Sequence, residues 1–290
     1  MNKQIYFLTT LTPVHAGGNE QLDIIDLPIQ REKHTQFPKF EASTLKGALK
    51  SAYNGEKKDE LFGKESSTQD NASSLGFSDA RLLFFPVKSV NGVFAWVTCP
   101  AVISRFLRDT SDSTLSEEIN FSNILHKALI CMNSSVSFKD SKVILEEYSI
   151  SVTPNEELTK FAEKIADIVY PSDNYWNKKL KTDLVVVDDN EFRDFVVNST
   201  EIVTRIKIDQ ESKTVQENAL FNVEYLPEDS ILYFVQIANP PPNYKLDEEK
   251  ANEIFAKNKP SVFQLGGDET LGKGMMGLHM MDGSEENSEQ

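Results

Sequence analysis

Asp26 is followed by Leu27-Pro28 and then by Arg31, Lys33, His34 and Lys39, so a single carboxylate stands at the edge of a basic stretch. Pro28 holds Leu27 extended, which puts Asp26 at the end of a short apolar strand, exposed toward those cations. Phosphates gathered by the basic residues would meet a group able to hold a divalent cation or to take up a proton. An aspartate capping a turn is the plainer alternative. His15, in Thr12-Pro13-Val14-His15-Ala16-Gly17-Gly18, lies in a glycine turn. It could orient a phosphate or shuttle a proton, and a turn histidine with its bonds satisfied is the other reading.

A second concentration of chemistry lies at residues 266–277, where five of the thirteen glycines occur. No glycine occurs between Gly92 and Gly266. Backbone amides of Gly266, Gly267, Thr270 and Gly274, with Lys273, suit an anion such as phosphate; a flexible loop is the alternative. Gly267, Gly272 and Lys273 reproduce the spacing of a nucleotide-binding P-loop, but Gly274 stands where a Ser or Thr should hold Mg²⁺. No α/β domain follows, so an NTPase is excluded.

These groups need elements to hold them. Residues 4–11 read as a buried strand ended by Pro13, and Ser43 or Thr44 caps a helix over 45–53. Lys46 and Lys50 fall together on that helix at i, i+4. Strands are expected over 77–87 and 93–98 with an Asn91-Gly92 turn, then at 184–187, 201–209 and 231–237. Helices are expected over 100–108, from a Thr153-Pro-Asn-Glu156 capping box carrying Leu158, Phe161, Ile165 and Ile168, and over 247–257. Residues 54–74 are polar and read as a mobile loop. The order fits an α+β fold, a ferredoxin-like βαββαβ palm with insertions. The same order occurs in RRM-like domains, but the RNP1 signature is absent, so base stacking on the sheet is not expected.

The net charge of −15 argues against nucleic acid until its distribution is considered. Residues 31–50 hold five basic side chains against two acidic ones, a local balance of +3. Cys99 and Cys131 sit in no zinc or CxxC pattern, which implies a reducing, cytoplasmic setting. His34, His126 and His279 lack partners at metal-ligand spacing. No run approaches the roughly 18 apolar residues of a membrane span, and the acidic tail 283–290 reads as disordered.

Taken in order, Thr12–Gly17, Ile25–Thr35, Ser43-Thr-Leu-Lys-Gly47, Phe77-Ser-Asp-Ala-Arg81, Val93–Pro100 and the glycine loop resemble the RAMP-superfamily backbone subunits of type III-B CRISPR (Cmr) effector complexes. The resemblance runs from Gln4 to about Leu278 and is weakest across 54–74 and 109–180. It implies one palm domain over 1–282, with a helical insertion at 99–180 and a thumb β-hairpin at about 183–220. It further implies copies side by side along a CRISPR guide RNA, with the other subunits of the effector complex as partners. Each copy would make one cut, dependent on Mg²⁺ or another divalent cation, in a complementary target RNA. Guide contacts then fall to Arg31, Lys33, Lys46, Lys50, Gly266, Gly267, Thr270, Lys273 and Gly274. Asp26, as catalytic residue and metal ligand, is the family position associated with cleavage. His15, Glu224 and Tyr225 are further catalytic candidates. A scaffold that binds guide RNA without cutting, and a stand-alone RNA-processing nuclease, are the competing readings.

Overall fold

The computed structural model describes residues 2–18, 25–64, 72–110, 127–139, 141–172, 174–208, 215–241 and 246–281. The expected acidic tail lies outside them. Strand β1 (Asn2–Thr10) buries Ile5, Tyr6, Phe7 and Leu8 in succession, as a strand covered on both faces must. Tyr6 meets Phe234 and Phe255 on one side, whereas Phe7 reaches Phe106 on the other.

After β2 (Lys39–Phe40), helix α1 runs over Ala42–Ala52 and buries Leu45 and Leu49. Ser43 and Thr44 do not cap it. Glu41 occupies the cap position without a side-chain bond, and the amide of Ala42 donates instead to Asp79 Oδ1 at 2.9 Å. The cap therefore comes from a distant turn, and the Thr44 hydroxyl instead accepts from Gln30 Nε2 at 3.1 Å. Helix α2 (Lys58–Phe62) interrupts the expected mobile loop, because Leu61 and Phe62 find the core; residues 65–71 of that stretch lie outside the described set.

Strands β3 (Leu75–Phe77), β4 (Ala80–Lys88) and β5 (Phe94–Thr98) lead into α3 (Pro100–Thr110). The segment expected as a helical insertion is mixed. It carries β6 (Ala128–Ile130), β7 (Lys142–Leu145) and β8 (Tyr148–Pro154) before α4 (Glu156–Val169) and α5 (Tyr175–Thr182). Thr153 and Pro154 end β8, and Asn155 caps α4 by accepting from the Leu158 amide. The expected capping box is thus displaced by two residues, because Thr153 is held in the strand ladder opposite Leu129.

Next come β9 (Leu184–Val186), α6 (Asp189–Asn198), and a separate two-stranded hairpin of β10 (Glu201–Ile208) and β11 (Val215–Tyr225). This hairpin starts at Glu201; within the span expected as a thumb, residues 184–186 belong to the main sheet and 189–198 to α6. Strand β12 (Ile231–Ala238), α7 (Glu248–Asn258), β13 (Val262–Gln264) and β14 (Met275–Met280) complete the fold.

The large sheet runs β13-β14-β1-β12-β4-β5-β9-β6-β8-β7. Within it β1, α1, β4, β12, α7 and β14 follow one another as βαββαβ, with spatial order β14-β1-β12-β4 and antiparallel neighbours. Through β5 and β9 the palm sheet continues into the insertion without a break. Both cysteines are free and buried. Among the described residues no helix is long and apolar enough to cross a membrane.

Candidate functional site

Four successive residues of β11, Asn222 to Tyr225, hold together what the sequence scatters over 210 positions. One edge of β11 pairs with β10. Its other edge takes the segment that follows the unassigned stretch 19–24: Leu27 pairs in parallel with Val223, its amide donating to the Asn222 carbonyl and its carbonyl accepting from the Glu224 amide, each at 3.0 Å. The same geometry aims Asp26 at the strand end. Its Oδ2 accepts from the Asn222 amide at 2.8 Å, and the residue is exposed. Among the described residues Asp26 forms no ion pair, and its second oxygen has no hydrogen-bond partner.

Glu224 does the opposite. It is 1 % exposed, and both carboxylate oxygens are engaged. Oε2 accepts from the Ile29 amide (3.0 Å), and Oε1 accepts from the Thr200 hydroxyl (2.8 Å) and from the Arg31 guanidinium. Arg31 also donates to the carbonyls of Gln36 (2.8 Å) and Val196 (3.0 Å). This cation, expected at a phosphate, is turned inward by the buried carboxylate and ties the Asp26 segment to the thumb root and α6.

His15 lies beside them. Its Nδ1 is 2.8 Å from the Glu224 carbonyl oxygen, which can only accept; Nδ1 therefore carries the hydrogen and Nε2 is the open nitrogen. The ring stands edge-on to Tyr225 at 5.8 Å. Tyr225 donates to Asp268 Oδ2 (2.6 Å), and Arg205 of β10 grips the same carboxylate with two bonds of 2.8 and 3.0 Å. Burial opposes the charge on Asp268, but the hydrogen bonds from Tyr225 and Arg205 outweigh it and hold the carboxyl below the usual range. Burial, followed by Asp268, pushes the Tyr225 phenol up to about 12, which keeps it a donor.

The glycine loop rests on this assembly. At Gly266, with φ at +86°, an added Cβ would stand 2.2 Å from the His15 carbonyl oxygen, so only glycine fits. The amides of Gly267 and Gly274 donate to the carbonyls of His15 and Pro13, and those of Leu271, Gly272 and Lys273 bond within the loop. Two of the four amides expected to face an anion, those of Gly267 and Gly274, thus close the loop on the protein, and the 3₁₀ turn (Glu269–Leu271) folds it back. Lys273 sits over the Tyr225 ring at 5.0 Å and 3.4 Å from Glu201. Thr270, Gly266 and Gly267 remain exposed, and Gly274 is buried.

Between that loop and α1 runs a groove of about 560 Å³, lined by Ser43, Thr44, Gly47, Ala48, Gln264 and Gly266 among others. Small residues let a chain approach the helix closely. The amides of Ser43 and Thr44 have no partner among the described residues, which makes the helix start an acceptor site for phosphate. Lys46 and Lys50 do not line the groove; they occupy the adjoining helix face. Burial and then Lys50 lower the pKa of Lys46, and Lys50 donates to the Gly63 carbonyl at 2.8 Å. A second hollow of about 520 Å³ opens beside Gly18, Pro28, Gln30, Lys33, Lys39 and Glu224. Lys33 is exposed there, whereas Lys39 bonds to Asp79 at 2.8 Å, the main reason its pKa is raised.

Both ends of this arrangement match a known family. The RAMP superfamily matches residues 7–276. The chain belongs to the RAMP superfamily. A curated relative, the CRISPR system Cmr endoribonuclease Cmr4 of Pyrococcus furiosus, is 34% identical over 285 residues, with 95% of each chain covered. The crystal structure of oligomeric Cmr4 from the same organism shares 30% identity over 98% of this chain and 99% of that one, with a TM-score of 0.75. A chain of the type III-B Cmr-beta complex bound to cognate target RNA, 23% identical over 97% of each chain, has the same fold at a TM-score of 0.74. In this RAMP chain the Asp26 segment, His15 and the glycine loop meet at residues 222–225 of the hairpin. Sequence reasoning missed Arg205 and Asp268, which carry no motif and meet across 63 positions.

Proposed function

We propose that the chain is a repeating backbone subunit of a type III-B CRISPR effector complex and cuts target RNA complementary to the guide. Guide RNA would lie in the groove between α1 and the glycine loop, where contacts are to backbone and so accept any sequence. Target RNA would cross the thumb root, where Asp26 stands. The observation that carries the reading is the carboxylate of the exposed Asp26, fixed through one oxygen on the Asn222 amide, with no partner for the other among the described residues.

RNA supplies its own nucleophile. A splayed nucleotide can turn its 2′-hydroxyl on the adjacent phosphorus, expelling the 5′-oxygen, once a base takes the hydroxyl proton. Asp26 would accept that proton, and the open Nε2 of His15 would be the second basic atom at the thumb root. Among the described residues no three ligating side chains cluster. A hard cation that keeps most of its waters fits a single carboxylate shared with RNA phosphates, and Asp26 would hold it. Such an ion would stabilise charge developing on the phosphate oxygens. Two free, buried thiols suit a cytoplasmic protein.

A non-catalytic scaffold is the second reading, favoured by the inward engagement of Arg31, Lys39 and Glu224. Reconstituting the complex with guide, labelled complementary RNA and Mg²⁺ separates the two. Wild type should give evenly spaced products and Asp26→Asn none, with assembly and RNA binding intact. An unchanged ladder in the variant removes Asp26 from the chemistry; no ladder in either protein leaves a scaffold.

A further inference from the structure

One tie between the glycine loop and the hairpin is made by two residues not assigned to RNA. Asp268 belongs to the glycine loop that walls the guide groove, and Arg205 belongs to the thumb strand β10. Their bidentate pair (2.8 and 3.0 Å) is only 24% and 21% exposed, and Tyr225 donates to the same carboxylate. Asp268 sits at φ +63°, a left-handed conformation that aspartate tolerates better than most residues, and this turns its carboxylate toward the thumb. Lys273 and Glu201 repeat the connection one turn away at 3.4 Å. The hairpin is otherwise a sheet of its own, joined to the palm by its root. Its Ile202, Ile206 and Leu220 are half exposed or more.

We infer that Arg205 and Asp268 are positioning residues: they lock the thumb onto the guide-side loop, so that a guide seated in the groove fixes which target phosphate reaches Asp26. Building on the function proposed above, this pair contributes register to the reaction and touches neither the guide nor the scissile bond. A planar guanidinium matched to a carboxylate resists rotation of the hairpin, which a single lysine bond would not do. The chemistry at Asp26 and the seating of the guide are left to other groups.

The test is the position of the cuts. Complexes carrying Arg205→Lys or Asp268→Asn are assembled on guide RNA, given 5′-labelled complementary RNA with Mg²⁺, and mapped at single-nucleotide resolution. Guide retention should match wild type, while cuts at phosphates next to the normal positions rise about tenfold, the scale of one charge-assisted bond pair. The reversed pair, Arg205→Asp with Asp268→Arg, should return the cuts toward their places. Hydrogen exchange of the β10 amides in the free subunit, faster in Asp268→Asn, reports the lock without cleavage. Normal cut positions in both single variants, or unchanged exchange, overturn the inference. A variant that assembles poorly but cuts in register also overturns it, since the pair would then be structural only. If wild type cuts nothing, the endonuclease reading fails, and the exchange measurement alone decides on the lock.

Discussion

Replacing Glu224 with glutamine separates a structural carboxylate from a catalytic one. The side chain is 1% exposed and accepts from the Ile29 amide, the Thr200 hydroxyl and Arg31. Glutamine keeps the volume but puts an amide NH₂ where an oxygen now accepts, so one donor must face another. Removing one partner of a buried ion pair costs roughly 3–5 kcal/mol. Arg31 retains the carbonyls of Gln36 and Val196 and is 14% exposed, which places the loss near the lower end, about 3 kcal/mol. With an m-value of about 3 kcal/mol/M for a chain of this size, the urea midpoint should drop by about 1 M. Circular dichroism of the purified subunit across a urea series reads that shift directly. Faster exchange at the Ile29 amide should accompany it, and Asp26→Asn, on an exposed group, should leave the midpoint nearly in place. A Glu224→Gln protein with the wild-type midpoint and no cleavage would refute the reasoning, because the carboxylate would then act on RNA and not on the fold.

Asp229 gives a pH signature. Burial, and then Glu228, push its carboxyl up to about 6; the native state therefore binds more protons than the unfolded chain between the unfolded value of about 4 and 6, and stability falls as pH rises through that window. Asp229→Asn, at φ +64° where asparagine is also tolerated, should raise the urea midpoint at pH 8 and leave it unchanged at pH 4. An equal gain at both values would point to another cause. For the guide, each lost phosphate contact lowers the slope of log affinity against log salt by about 0.7 on a single strand. Lys46→Ala should show such a loss in the assembled complex and Lys50→Ala less, since Lys50 already bonds to Gly63. Unchanged slopes in both would move the guide away from α1.

Local order was legible where local residues create it. The apolar run of β1, the repeat in α4 and the Asn91-Gly92 turn all appear near their expected positions, because burial on one or two faces dictates each pattern. Helix starts failed where the cap comes from elsewhere: α1 takes Asp79, and Thr153 is kept in a strand by its neighbour. The direction of a charged side chain was the least legible property. Arg31 and Lys33 look alike in sequence, yet one faces a buried carboxylate and the other solvent. Only the three-dimensional placement of Glu224 makes that distinction. The exposure of Asp26 was legible because its neighbours Pro28 and Arg31 are close in the chain, whereas the Arg205–Asp268 pair depends on two distant segments meeting.

The pairing of β1 has a consequence for how the protein is made. Its two neighbours are β12 and β14, and Thr9 meets His279 across 270 residues. During synthesis apolar β1 is made well before either partner and waits for them as an open edge. The insertion strands β5 to β9 can pair among themselves earlier, since their contacts are closer in the chain. The glycine loop, flanked by β13 and β14, is completed only with β14. A chain stalled short of β14 would carry Asp26 and the β10–β11 hairpin but lack the strand that anchors the glycine loop beside α1, so guide binding in that groove, as proposed above, would double as a check that translation has passed β14.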